Sequence, residues 1–103
     1  MPVYISIGLK APSIEIVSEA LRHETSLSPA RRDSSYLGEY DLFRMPEEAR
    51  VRYNFVGEQG EWMHPAHQEY AVILEVESTE RPDFFWELAV KLGFENKIIE
   101  EES

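Results

Sequence analysis

A chain of 103 residues with 43% apolar residues, no cysteine and a net charge of −10 has the size for one domain and enough apolar side chains for one core. The missing cysteine excludes disulfides, thiolate metal centres, iron–sulfur clusters and a cysteine nucleophile. Twenty acidic against ten basic side chains repel phosphates and anionic lipids, which argues against nucleic acid and membranes and favours a basic protein partner.

The charge is unevenly placed. Residues 1–52 carry seven basic and eight acidic groups, residues 53–103 three and twelve, so the second half holds −9. The first residues lack the basic and apolar regions of a signal peptide, and no apolar run has the length of a bilayer span. A reducing, cytoplasmic setting is the expectation.

Val3, Ile5, Ile7 and Leu9 alternate with Tyr4, Ser6, Gly8 and Lys10, which predicts a strand with one buried face. Pro12 and Ser13 then start a helix over about residues 13–24, with Ile14, Val17, Ala20 and Leu21 on its inner stripe. The polar stretch from Thr25 to Ser35, with Pro29 inside it, reads as a loop, and its Arg31-Arg32 pair as solvated. Tyr36 to Arg44 reads as a strand, with Gly38 marking a bulge. Ala49, Val51, Tyr53 and Phe55 form the next, with Arg50 and Arg52 on its outer face, where Glu39 and Asp41 are expected to pair with them.

Residues 57–69 form a long connection. Tyr70 to Glu77 is a central strand whose far end, at Glu75 and Glu77, is expected to be wet. A second helix follows, capped by Ser78 or Thr79, with Pro82 in its first turn, an inner stripe of Phe85, Leu88, Ala89 and Leu92, and a stop at Gly93. The tail, residues 96–103, holds Ile98 and Ile99 inside charge and either docks as a short edge strand or frays. The element order β-α-β-β-β-α predicts an α+β fold: an antiparallel sheet of about four strands, two helices on one face, ferredoxin-like in flavour.

Within the long connection, His64 and His67 offer two metal ligands, with Pro65 between them and no evident third, so no metal and no cofactor is expected. Glu58, Glu61 and Glu69 beside the imidazoles are groups suited to acid–base work, but no catalytic motif surrounds them. Trp62 and Met63 sit among these acids as an aromatic anchor would in a protein-binding face; the alternative is that Trp62 folds back over the core.

Two resemblances follow. "MPVYISIG" before a helix resembles the start of tautomerase-superfamily proteins, which implies an amine base at Pro2 once Met1 is removed. The whole profile of small size, acidity, no cysteine and no catalytic motif resembles bacterial toxin immunity proteins. That resemblance implies a module that covers the active site of a basic nuclease-type toxin. The residues expected to carry it are Glu58, Glu61, Trp62, His64, His67 and Glu69, with Glu100, Glu101 and Glu102 of the tail. The alternatives are a small ferredoxin-like enzyme, with a pocket lined by His23, Tyr36, Tyr40 and Tyr53, and a non-catalytic dimer associating through its sheet.

Overall fold

The computed structural model describes residues 1–34, 38–56 and 60–103. In chain order the elements are β1 (Val3–Leu9), α1 (Ile14–Thr25), β2 (Ala30–Ser34), β3 (Gly38–Arg44), β4 (Glu48–Tyr53), β5 (Phe55–Val56), β6 (Glu61–Trp62), β7 (Val72–Thr79), α2 (Pro82–Lys91) and β8 (Asn96–Glu102). Six strands form one sheet in the order β2-β3-β4-β7-β1-β8, and every neighbouring pair is antiparallel. Strands β5 and β6 make a separate two-stranded ribbon.

The α+β class and the antiparallel sheet agree with the sequence reading. The four-strand ferredoxin-like order does not. Residues 30–34, read as a loop, pair with β3 along their whole length, from Ala30↔Leu42 to Ser34↔Gly38. The charged tail pairs with β1 from Leu9↔Asn96 to Tyr4↔Glu102. Both are outer strands, so neither needed the apolar alternation that marks a strand with a buried face.

One face of the sheet carries the core. Ile5, Ile7 and Leu9 of β1, Val72, Leu74 and Val76 of β7, Ala49 and Val51 of β4 and Phe43 of β3 all have zero exposure. Against them pack Ile14, Val17 and Leu21 of α1 and Phe85, Leu88 and Ala89 of α2. α1 rests on β3 and β4, and α2 on β1 and β8. α1 begins at Ser13, whose hydroxyl accepts the Ile16 amide at 3.4 Å, and ends at Ser26 in the left-handed region, φ 60°. α2 has no side-chain cap at Arg81; Thr79 acts just outside it, accepting the Arg81 amide at 2.9 Å.

The register corrects the pairing expected for Arg50 and Arg52. Glu39 and Asp41 share the core side of β3 with Phe43, whereas Arg50 stands opposite Leu42, and Arg52 opposite Tyr40. Asp41, 3% exposed, instead accepts from Ser18 of α1 at 2.5 Å and from Arg31 Nε at 2.5 Å. Arg31 also reaches Glu15 at 3.0 Å, so it links the outer strand β2 to α1 while staying exposed, as Arg32 does. The arginines of β4 turn to β7.

Candidate functional site

The second face of the sheet is where the long connection lies. Its organiser is Asn54, which has zero exposure and sits where the apolar alternation of β4 breaks off. The Asn54 side-chain amide donates to the carbonyls of His67 and Tyr70, each at 3.0 Å, and its oxygen accepts the His64 amide at 2.9 Å. Its backbone accepts from Met63 at 2.7 Å and donates to Ala71 at 2.9 Å. One buried asparagine thus holds Met63, His64, His67, Tyr70 and Ala71, satisfying backbone groups that a loop otherwise leaves to water. The sequence reading passed over Asn54; an asparagine closing an alternating strand was the available signal.

Folded this way, the segment covers the sheet. The His64 imidazole Nε2 and the Ser6 hydroxyl lie 3.3 Å apart. Tyr70, 7% exposed, and Ile99 of β8 press on Gly8, where a Cβ would stand 2.7 Å from both side chains. Only a residue without a side chain lets the cover come this close. Ile73 is buried on this face as a result.

Beneath lies a polar cluster. Glu75, expected at a wet strand end, is 4% exposed. It accepts from the Tyr4 hydroxyl at 2.9 Å, from Arg52 at 3.3 Å and from Arg50 at 3.5 Å; Arg50 also reaches Glu77 at 2.8 Å. A carboxylate taken out of water needs such partners. Burial, then the Glu75 charge, push the Tyr4 hydroxyl far above its ordinary pKa, so it stays a donor. The Nε atoms of Arg50 and Arg52 are buried without a hydrogen-bond partner. Burial lowers the His64 imidazole below its ordinary 6.5, against the opposing charges of Glu100 and Glu75.

The residues singled out from sequence fall into two groups. Glu58 and Tyr36 lie outside the described residues. Glu61 and Trp62 form β6, and the Trp62 ring meets Phe55 edge-on at 5.2 Å. Trp62 is therefore half-buried in the ribbon, beside a Phe55 that is 44% exposed, and contributes nothing to the main core. His67 approaches Glu69 at 3.9 Å. In β8, Glu100 pairs with Ser6 and Glu102 with Tyr4, which puts both on the second face, with Glu100 near His64. Glu101 pairs with Ile5 and projects to the helix side. The connection and the tail, 36 residues apart between His64 and Glu100, thus meet over Ser6.

Other constellations do not converge. Among the described residues no three His, Asp or Glu side chains gather as a metal ion requires. Tyr40 and Tyr53 lie on opposite faces of the sheet: Tyr40 opposes Arg52, whereas the Tyr53 hydroxyl accepts the Ile14 amide of α1 at 3.4 Å. His23 is exposed on α1. Pro2 borders an open cavity of about 490 Å³ with Glu47 and Arg81, and that arginine is already bound to the glutamate at 2.8 and 2.9 Å. No helix among the described residues is long and apolar enough to cross a membrane. No protein-family model matches the chain, and no curated protein matches its sequence.

Proposed function

We propose that this chain is a small acidic protein-binding module, an immunity protein that neutralises a basic nuclease-type toxin by covering its active site. The supporting observation is the meeting of the connection and β8 over Ser6. Glu100 stands opposite Ser6, and the same two segments carry Glu61, Glu69 and Glu102; among the described residues none of the four is in an ion pair with a lysine or arginine. Carboxylates without an internal lysine or arginine partner are available to the lysines and arginines with which a nuclease holds phosphates, and their field speeds encounter. Phe55 and Trp62 supply apolar contact at the rim. Glu101, on the other side of the strand, is peripheral to this face.

The test is a search of the neighbouring genes for a basic nuclease-type toxin domain, followed by binding to it by calorimetry at two salt concentrations, with nuclease inhibition read in parallel. Nanomolar affinity that weakens with salt supports the reading. The triple variant Glu61→Lys, Glu69→Lys, Glu100→Lys should lose at least about 100-fold in affinity, since close charge pairs at such interfaces couple by ~1.5–7 kcal/mol each. Unchanged affinity in that variant would move the interface elsewhere, and absence of binding would discard the immunity reading.

A further inference from the structure

Away from that face, a groove of about 540 Å³ opens between the end of α1, the β3–β4 turn and α2. Its apolar walls are Leu27, Met45, Phe84 and Leu88. Leu27 and Met45 also pack against the core, so the floor of the groove is continuous with it. The volume is in the range of sites that enclose small ligands.

The charge at its rim is opposite to that of the protein. Arg44, Arg81 and Lys91 line it, against Glu24. Arg81 is already fixed: it chelates Glu47 and its guanidinium lies 4.1 Å from the centre of the Phe84 ring. Arg44 and Lys91 are different. Acidic side chains outnumber basic ones twenty to ten in this chain, and six of the ten basic groups are in ion pairs. Among the described residues Arg32, Arg44, Lys91 and Lys97 are in none, although surplus carboxylate is plentiful, and of these four Arg44 and Lys91 line the groove. Two unmatched cations therefore face one apolar groove in a molecule whose overall field would otherwise repel anions.

We infer that this groove binds a small amphipathic anion, a carboxylate or phosphate head on an apolar body of medium length. The head lies between Arg44 and Lys91, and the body lies on Leu27, Met45, Phe84 and Leu88. Arg81, held by Glu47, forms the wall beside the ring of Phe84. The assignment is independent of the toxin-binding reading, because the groove shares no residue with the acidic face.

The experiment is a titration of the protein with sodium decanoate below its micellar concentration, followed by amide chemical shifts and calorimetry. Acetate and decyltrimethylammonium serve as probes lacking the tail and carrying the opposite charge. Saturable binding of decanoate, with shifts at Leu27, Met45, Phe84 and Leu88 and none for either control, supports the site. The double variant Arg44→Ser, Lys91→Ser removes two exposed side chains and should fold normally; its affinity for decanoate should fall about ten-fold. Equal binding of decyltrimethylammonium, unchanged affinity in the double variant, or no saturable binding would each overturn the proposal. So would a dimer that decanoate dissociates, because the groove would then belong to a second copy of the chain. Decyl phosphate, run in the same way, reports which head group is preferred.

Discussion

Ser6 and His64 are 58 positions apart in the sequence, and their side chains lie 3.3 Å from each other on the second face of the sheet. This contact fixes the covering segment to the centre of β1 and brings the imidazole near Glu100. Ser6→Ala should cost about 0.5–1.5 kcal/mol, the usual worth of one such bond, in urea unfolding. Hydrogen exchange should show faster opening at Met63 and His64 than in the core strands.

The same imidazole makes stability depend on pH. Its folded pKa lies below 6.5 because burial disfavours the charged form. The unfolded state then binds more protons than the folded state around pH 6, so stability rises with pH there. The contribution is complete above the unfolded value of 6.5 and is lost as pH falls through the lower folded value. Unfolding free energies between pH 5 and pH 8 should follow that curve, and His64→Asn should flatten it.

Gly8→Ala has a steric consequence. A methyl group there would stand 2.7 Å from Ile99 Cδ1 and from the ring of Tyr70, and 2.8 Å from Tyr70 Cβ. Tyr70 or Ile99 must move, at about 1–3 kcal/mol, typical of overpacked sites. Tyr70 becoming accessible to solvent quenchers, with the far-ultraviolet spectrum unchanged, would show that the cover lifts while the sheet persists.

Glu47 governs acid stability at the other end of the sheet. The hydrogen bond from Arg81, reinforced by that from Thr79, holds its carboxyl at about 2, well below the ordinary 4.5. A depressed carboxyl pKa stabilises the fold above the unfolded value and loses that effect as pH falls through the folded one. Glu47→Gln should therefore reduce the loss of stability between pH 4.5 and about pH 2 relative to the unmodified protein. An acid titration monitored by circular dichroism measures this.

Ser18 and Asp41 are both nearly buried, and their bond joins α1 to β3. Ser18→Ala leaves an Asp41 oxygen with only the guanidinium of Arg31, and should cost about 1–3 kcal/mol. Thermal unfolding would register this as a lower midpoint, with little change in the shape of the transition.

The parts of this fold that could be read from sequence are those where burial imposes a period. Ile14, Val17 and Leu21 repeat as a helix packed on a sheet must, and Ile5, Ile7 and Leu9 alternate as a half-buried strand must. Ala30 to Ser34 is almost wholly exposed, so nothing in its composition separates it from a loop; backbone pairing to β3 alone makes it a strand. The partners of Arg50 and Arg52 depended on strand order, because β4 has one neighbour on each side and only β7 offers a carboxylate on the right face. The histidines drew attention to the correct segment, but what organises it is Asn54, and its role rests on contacts ten to sixteen residues away.

The ladder between β1 and β8 slips by one residue. Ser6 pairs with Glu100 and Ile7 with Ile98, which leaves Ile99 without a place in the count. Because of this surplus residue, Ile99 and Glu100 share a face, one clamping Gly8 and the other meeting solvent near His64. A chain shortened by Ile99 alone would keep every remaining pair in step, from Asn96 through Glu102. The tail therefore separates two requirements that strands usually entangle: its alignment tolerates the deletion, and the grip on the covering segment does not.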